Sequence, residues 1–254
     1  MMKFFRKIRQ NLLSKGKIGK YLKYAIGEIV LVVIGILIAL QINNWNDNRK
    51  INNQKHSLLQ NIKKDLEVDT LNFAETISFL KENTDLKRSL LSLSGFETVS
   101  DDNLFVLISA RSTNQTVNSL TFDKFRSLGI SKITDNEELV TELDEYYINK
   151  SNILEAFLKW DTEESKDTRE YWFFNQNQFE IEVKYFPIKD KSEIFQFGNP
   201  IQNRENLIQL LSEPRGRNFV KMDFIRKKLL LEQYILIYQA AKMLIPKIET
   251  ELNN

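Results

Sequence analysis

The sequence predicts an all-α protein, an N-terminal transmembrane helix followed by an extracytoplasmic helical bundle with long helices and one irregular or short β segment. Three observations predict it. Ile29 to Leu40 read IVLVVIGILIAL, twelve apolar residues without a break. Beyond them, apolar residues recur at spacings of three, four and seven, the periodicity of helices that bury one stripe. Chain breakers are scarce: the 254 residues hold four prolines and eight glycines, and only Gly95, Gly129, Gly198 and Gly216 follow the apolar run. Long helices survive best where glycine and proline are rare.

The run extends to the aromatic residues that bracket it, Tyr24 and Trp45. That gives the roughly 20 residues needed to cross about 30 Å of hydrocarbon, and Tyr and Trp settle at headgroup level. Residues 1–23 carry eight basic side chains and no acidic one, whereas Asp47 mixes with Arg49, Lys50 and Lys55 after the span. Basic residues stay inside, so the N-terminus is expected in the cytoplasm. The expected divisions are a basic cytoplasmic leader at 1–23, a transmembrane helix at 24–45 and a periplasmic helical domain at 46–254, in a bacterial inner membrane. A cleaved signal peptide is the rival reading. Against it stand a 23-residue leader, a long apolar core and no A-x-A-like site before Gln41-Ile42-Asn43-Asn44.

Charge divides at the same boundary. Residues 1–45 hold eight basic residues against Glu28 alone, a net +7, which leaves −5 for the rest of a chain whose total is +2. A mildly acidic outer domain argues against nucleic-acid binding. The basic leader suits anionic headgroups, at about 1 kcal/mol per Lys or Arg near the surface. Phe4, Phe5, Ile8 and Leu12 recur among those charges at helical spacing, so the leader reads either as a surface helix or as a topology signal only. The lipid bilayer is therefore the first expected partner. No cysteine is present, which excludes disulfides, thiol catalysis and Cys-based metal sites. The outer domain must be held by its core, and about 200 residues can bury one large enough.

Leu59, Ile62, Leu66, Phe73, Ile77 and Leu80 place a first long helix from near residue 50 to Leu93, with Gly95 at its end. This helix can continue from the span. Ser100 before Asp101 and Asp102 is an N-cap with an acidic first turn, opening a short helix through Leu104, Leu107 and Ile108. Ser119 caps a second short helix carrying Phe122, Phe125 and Leu128, and Gly129 is a good residue to stop it. Thr134-Asp135-Asn136-Glu137 fits a capping box. Leu139, Leu143, Tyr146, Tyr147, Ile153, Leu154, Phe157 and Trp160 then give a long helix to about residue 172.

Residues 173–202 break the pattern. Phe179-Glu180-Ile181-Glu182-Val183-Lys184-Tyr185 alternates strictly, a strand signature with little to pair against, so an extended loop or short hairpin is expected. Glu205 to Leu211 reads as a short helix, Glu213-Pro214-Arg215-Gly216 as a turn, and Phe219 to Leu252 as the last long helix. Its apolar marks at Phe224, Leu231, Tyr238, Ile245 and Leu252 are seven apart. Pro246 is expected to kink or locally unwind it.

Candidate functional residues are few. Glu28 lies in the apolar span but only four residues after Tyr24, so it reads as a membrane-interface residue together with Tyr24 and Trp45 rather than as a proton site. Gly35 and Ala39 form a small-xxx-small pair, with Gly27 and Asn43 on the same face, and such faces let helices approach closely. The face of Gly27, Gly35, Ala39 and Asn43 reads either as a route to self-association of the span, a homo-oligomer, or as the ordinary frequency of glycine in membrane helices. Aromatic clusters at Tyr146, Tyr147, Tyr171 and Trp172, with Phe195 and Phe197 later, read as core or as the lining of a ligand pocket between helices.

No catalytic or metal-binding set emerges, and no cofactor is expected. His56 is the only histidine, no Glu-x-x-His pair suggests a di-iron bundle, and no phosphate-binding glycine motif appears. The run Glu137, Glu138, Glu142, Asp144 and Glu145 supplies carboxylates of the kind glycoside hydrolysis uses, although such a run is commonly a solvated helix face.

Met2-Lys3-Phe4-Phe5-Arg6-Lys7-Ile8-Arg9, the block YAIGEIVLVVIGILIALQINNWN from Tyr24 to Asn46, and TFDKFRSLGISKITDNEELVTELDEYY from Thr121 to Tyr147 resemble a family of uncharacterised single-span membrane proteins of Bacteroidetes-type bacteria. The resemblance covers about a quarter of the chain. It implies a bacterial inner membrane and no particular chemistry. Two functional readings follow from the residues. The first is a membrane-anchored extracytoplasmic interaction or sensory module, which needs an unknown membrane or periplasmic protein partner because 23 cytoplasmic residues are too few for an output domain. The second is an envelope enzyme acting on glycans or lipids through carboxylates.

Overall fold

The computed structural model of the chain describes residues 18–181 and 198–253, and the protein is all-α. The chain divides into two compact units, Met1–Ser57 and Leu58–Asn254. One helix, α1 (Ile18–Leu91), enters both. It is followed by α2 (Asp101–Ile108), α3 (Leu120–Ser127), α4 (Glu137–Asp144), a π turn (Glu145–Lys150), α5 (Ser151–Phe173), α6 (Pro200–Ser212) and α7 (Pro214–Leu252).

In the first unit, α1 carries the apolar run. A window of it has a mean hydropathy of 2.6 and none of that window is buried, with Ile29 through Leu40 all exposed. The core helix of a water-soluble domain would pass the same length and composition test while being covered. This segment is long and apolar enough to cross a membrane and leaves its side chains open on every face, as a lipid-facing helix does.

The second unit is organised by three helices with 3-4 seams. On α1 the buried positions run Leu59, Ile62, Leu66, Asp69, Phe73, then Leu80 and Lys87. On α5 they run Ser151, Leu154, Leu158, Asp161, Ser165, Thr168 and Trp172. On α7 they run Val220, Asp223, Lys227, Leu230, Tyr234, Ile237, Ala241, Leu244 and Ile248. Alternating steps of three and four keep one stripe facing its neighbours along a long helix. Each buried Leu, Ile or Phe contributes about 1.5–3 kcal/mol relative to exposure.

The apolar side chains form two cores. One gathers Leu59, Ile62, Leu66, Phe73 and Leu80 with Leu154, Leu158 and the α7 residues from Leu230 to Ile248. The other gathers Leu90, Phe96, Leu104, Ile108, Tyr171, Trp172, Leu211 and Val220. On each of the three helices, polar residues occupy the seam between the positions given to the first core and those given to the second.

The short helices follow local chemistry. Ser100 caps α2 by accepting from Asn103 N at 3.4 Å. Asn199 accepts from Ile201 N at 3.0 Å ahead of Pro200, so α6 opens five residues earlier than the apolar pattern suggests, proline being well suited to the first helical position. Gly129 sits at φ +67 after α3, where a side chain would be strained.

Three more expectations change. The cap of α4 is Asn136, whose side chain accepts from Leu139 N at 3.2 Å, while Thr134 donates its hydroxyl to Glu251 on α7. Residues 214–216 are not a turn but the first turn of α7. There Gly216 allows close approach, because a Cβ at that position would lie 2.1 Å from the Leu210 carbonyl oxygen and 3.0 Å from the Trp172 ring. The deepest stripe of α7 lies one residue before the Phe224–Leu252 series, whose members are only partly buried. Pro246 lies inside α7, which runs on without local unwinding to Leu252. Of the alternating segment, residues 179–181 belong to no regular element and 182–185 lie outside the described residues, as do Phe195, Phe197 and the leader through Lys17.

Candidate functional site

The polar seam positions between the two cores form a buried ionic layer. Lys87 on α1 donates to Asp223 on α7. Arg226, three residues on, donates from Nη2 to Asp223, from Nε to Asp161 on α5 at 2.8 Å, and from Nη2 to Ser165 Oγ at 3.2 Å. Lys227 Nζ donates to both oxygens of Asp161, each at 2.7 Å. The five charged side chains are each at most 3% exposed.

Sequence explains the geometry. Asp223 and Lys227 take two consecutive seam positions of α7, and Arg226 stands beside them with a planar fork that reaches two carboxylates at once. Asp161 takes the facing seam position of α5. Three cations against two carboxylates leave an excess of one positive charge in a desolvated space. Burial pushes the Lys227 ammonium below the ordinary lysine range, against the opposing pull of Asp223 and Asp161. Charges at coiled-coil seam positions cost stability and specify register.

A second polar group lies in the first core. Asp69, on the α1 seam, accepts from the Tyr146 hydroxyl at 2.7 Å and from Asn118 N at 3.0 Å. One turn earlier, Asp65 accepts from Asn118 Nδ2 at 3.1 Å and Thr121 N at 3.3 Å. The hydroxyl of Ser119 is turned to Asp123 and makes no bond to the backbone of α3. The carboxylates of α1 therefore receive the free N–H groups at the start of α3, the end that favours negative charge. Burial pushes the Asp69 carboxyl up to about 6, with Asp65 adding to the rise and the Tyr146 and Asn118 hydrogen bonds opposing it. Burial likewise raises the Tyr146 and Tyr147 hydroxyls above the ordinary tyrosine range.

Tyr146 and Tyr147 are consecutive and both buried because the π turn widens the helix there. Their rings meet at 4.8 Å, and Tyr147 stacks on Phe122 at 4.5 Å. Tyr171 and Trp172 meet at 4.9 Å, with Tyr171 stacked on Phe219 at 4.0 Å. The structure joins each pair and puts the two pairs in different cores. Tyr147 Oη and Trp172 Nε1 are buried without a hydrogen-bond partner among the described residues.

On the apolar segment, a Cβ built at Gly27 or Gly35 meets nothing within 4 Å. Ala39 is exposed, and Asn43 donates to Asp47 at 3.1 Å. Trp45 is exposed with the Arg49 guanidinium 5.7 Å from its ring centre. Glu28 is half-buried, and the Tyr24 side chain lies outside the described residues. Among the described residues no group of three His, Asp or Glu side chains converges as a metal-ligand set.

The ionic layer escaped sequence reasoning, because a search for apolar stripes passes over a seam filled by Asp and Lys. Its signal was positional: Val220, Asp223, Lys227 and Leu230 keep the 3-4 spacing.

Residues 28–177, more than half of the chain, match a family described as "Family of unknown function (DUF6090)". No curated protein and no solved structure matches the chain.

Proposed function

We propose that this chain, which belongs to the family of unknown function DUF6090, is a membrane-anchored, extracytoplasmic helical module that interacts with or senses through a protein partner. The observation that carries the reading is that one helix, Ile18–Leu91, contains both the exposed apolar run and the seam positions Leu59 to Lys87. The same helix thus supplies an apolar segment suited to lipid and seam positions buried in the bundle.

The basic leader supports an N-terminus in the cytoplasm with the remainder across the membrane, and the resemblance of Tyr24 to Asn46 supports the inner membrane of a Bacteroidetes-type bacterium. The face of Gly27, Gly35, Ala39 and Asn43 offers the span a route to self-association. The ionic layer supports a device that reports on helix register, since each of its five charged side chains has a hydrogen-bonded partner in this arrangement and a shifted helix would strand them.

The experiment is purification of the full chain after gentle solubilisation of native membranes. Co-purification of a second protein at constant stoichiometry supports the reading. A chain recovered alone from several mild detergents counts against it.

A further inference from the structure

The seam of α7 faces the two cores, yet the same helix carries a second apolar stripe on another face. Met222, Leu229, Leu236 and Met243 are seven residues apart, with Ile225 beside the first pair. Met222 is 50% exposed, Leu236 53% and Met243 63%. Met222, Ile225, Leu229, Leu236 and Met243 fall on the 3-4 spacing of a face that another helix covers, with the polar Glu232 and Gln239 at the two remaining positions. From Met222 to Met243 it spans about 32 Å at 1.5 Å per residue.

One edge of this stripe is basic. Lys221, Lys228 and Lys242 are exposed along it. Lys221 and Lys228 have no acidic partner among the described residues, and Lys242 lies 5.5 Å from the Tyr238 ring centre. At its C-terminal end the stripe opens into a groove of about 630 Å³ with Ala240, Met243, Leu244 and Pro246 in its lining. Of the rim charges there, Lys247 pairs with Glu142 at 2.5 Å and Lys150 with Glu145 at 3.3 Å, while Lys242 belongs to the basic edge. The groove therefore asks for apolar contact, and the lysine edge for negative charge.

We infer that the outward face of α7 docks an amphipathic helix of another protein, one with an apolar heptad stripe and acidic flanks. The inference rests on the interaction reading above and names the partner's chemistry. A second copy of this chain suits the face poorly, because Lys221, Lys228 and Lys242 would meet the same lysines across the interface. A lipid surface suits it poorly too, since the polar Glu232 and Gln239 interrupt the apolar face midway, where an interfacial helix keeps its apolar half unbroken.

The test uses the full chain in phosphatidylcholine nanodiscs and two labelled synthetic peptides of four heptads. The peptides share a leucine and isoleucine seam, one with glutamate and one with lysine at every flanking position. The glutamate peptide is expected to bind at least about tenfold more tightly, a difference of roughly 1.4 kcal/mol. Leu236→Glu should abolish binding, and the double variant Lys221→Glu, Lys228→Glu should remove the preference, with the helical circular dichroism of both variants unchanged. Equal binding of the two peptides, or none, would overturn the inference. So would a dimer in sedimentation that Leu236→Glu dissolves, which gives the face to a second copy, or Leu236-dependent capture by phosphatidylglycerol vesicles, which gives it to lipid. A chain that fails here while keeping its co-purifying partner leaves the interaction reading standing and removes only this face from it.

Discussion

Asp161→Ala lowers the unfolding free energy of the bundle by about 3–5 kcal/mol, the range found when one partner of a buried ion pair is deleted. Asp161 is fully buried and holds both Arg226 Nε and Lys227 Nζ. Removing it leaves two cations in an apolar space with only Asp223 nearby to answer three positive charges. The loss is large because desolvation of the stranded charges continues while their attraction is gone. Replacing the whole layer by apolar residues of similar size, with Lys87, Arg226 and Lys227 as Met and Asp161 and Asp223 as Leu, is expected to be neutral or stabilising. Denaturant midpoints of the full chain in nanodiscs check both. A loss below about 1 kcal/mol for Asp161→Ala would show that the layer is not the closed ionic cluster described here.

The second large effect is a dependence on pH through Asp69. Its carboxyl is raised from 3.8 to about 6 in the folded chain, chiefly by burial. The folded state therefore holds the proton more tightly than the unfolded state does. The Asp69 contribution to stability is greatest below about pH 4, falls as pH rises between about 4 and 6, and is level above that range. The amplitude is of order 3 kcal/mol, at about 1.4 kcal/mol per pH unit. Asp69→Asn keeps an acceptor for the Tyr146 hydroxyl and cannot ionise. Subtracting its unfolding curve from that of the natural chain should therefore isolate a fall confined to pH 4–6. A difference curve that is flat, or rises with pH, contradicts the burial of this carboxyl.

Much of this architecture is legible in the residues. Ser100 ahead of two aspartates caps α2, and the series Leu59, Ile62, Leu66, Phe73, Leu80 lies on the buried face of α1 as its spacing requires. What escaped the sequence has a physical pattern. On α7 the innermost stripe includes Asp223 and Lys227, so apolarity alone points to the neighbouring Phe224 series, which is only half covered. Pro214 and Gly216 suit a turn locally, but the close approach of Leu210 and Trp172 puts Gly216 inside a helix. Thr134 satisfies the capping-box pattern, while Asn136 holds the cap and Thr134 accepts from Asn136 N and donates to Glu251, 117 residues away. The π turn that brings Tyr146 and Tyr147 inward together has no signature that composition or spacing could reveal.

The candidate site was less legible still, for the same reason. Asp161, Asp223, Arg226 and Lys227 look like ordinary charges of solvated helices until three helices are laid side by side. Asp65 and Asp69 look like acidic residues of an exposed helix until the start of α3 is set against them. Long-range partnership, rather than residue type, defines both groups.

The central claim is that the apolar helix remains in the membrane with the bundle on the far side, and because the chain lacks cysteine it can be tested by single-cysteine labelling. Ser14→Cys and Glu163→Cys chains, the latter substituted at an exposed position, are exposed in intact spheroplasts to a membrane-impermeant maleimide. The expected result is full-length chain labelled at residue 163 and protected at residue 14 until the membrane is permeabilised. Labelling at 14 with protection at 163, or recovery of a mature chain that begins after Trp45, would contradict it.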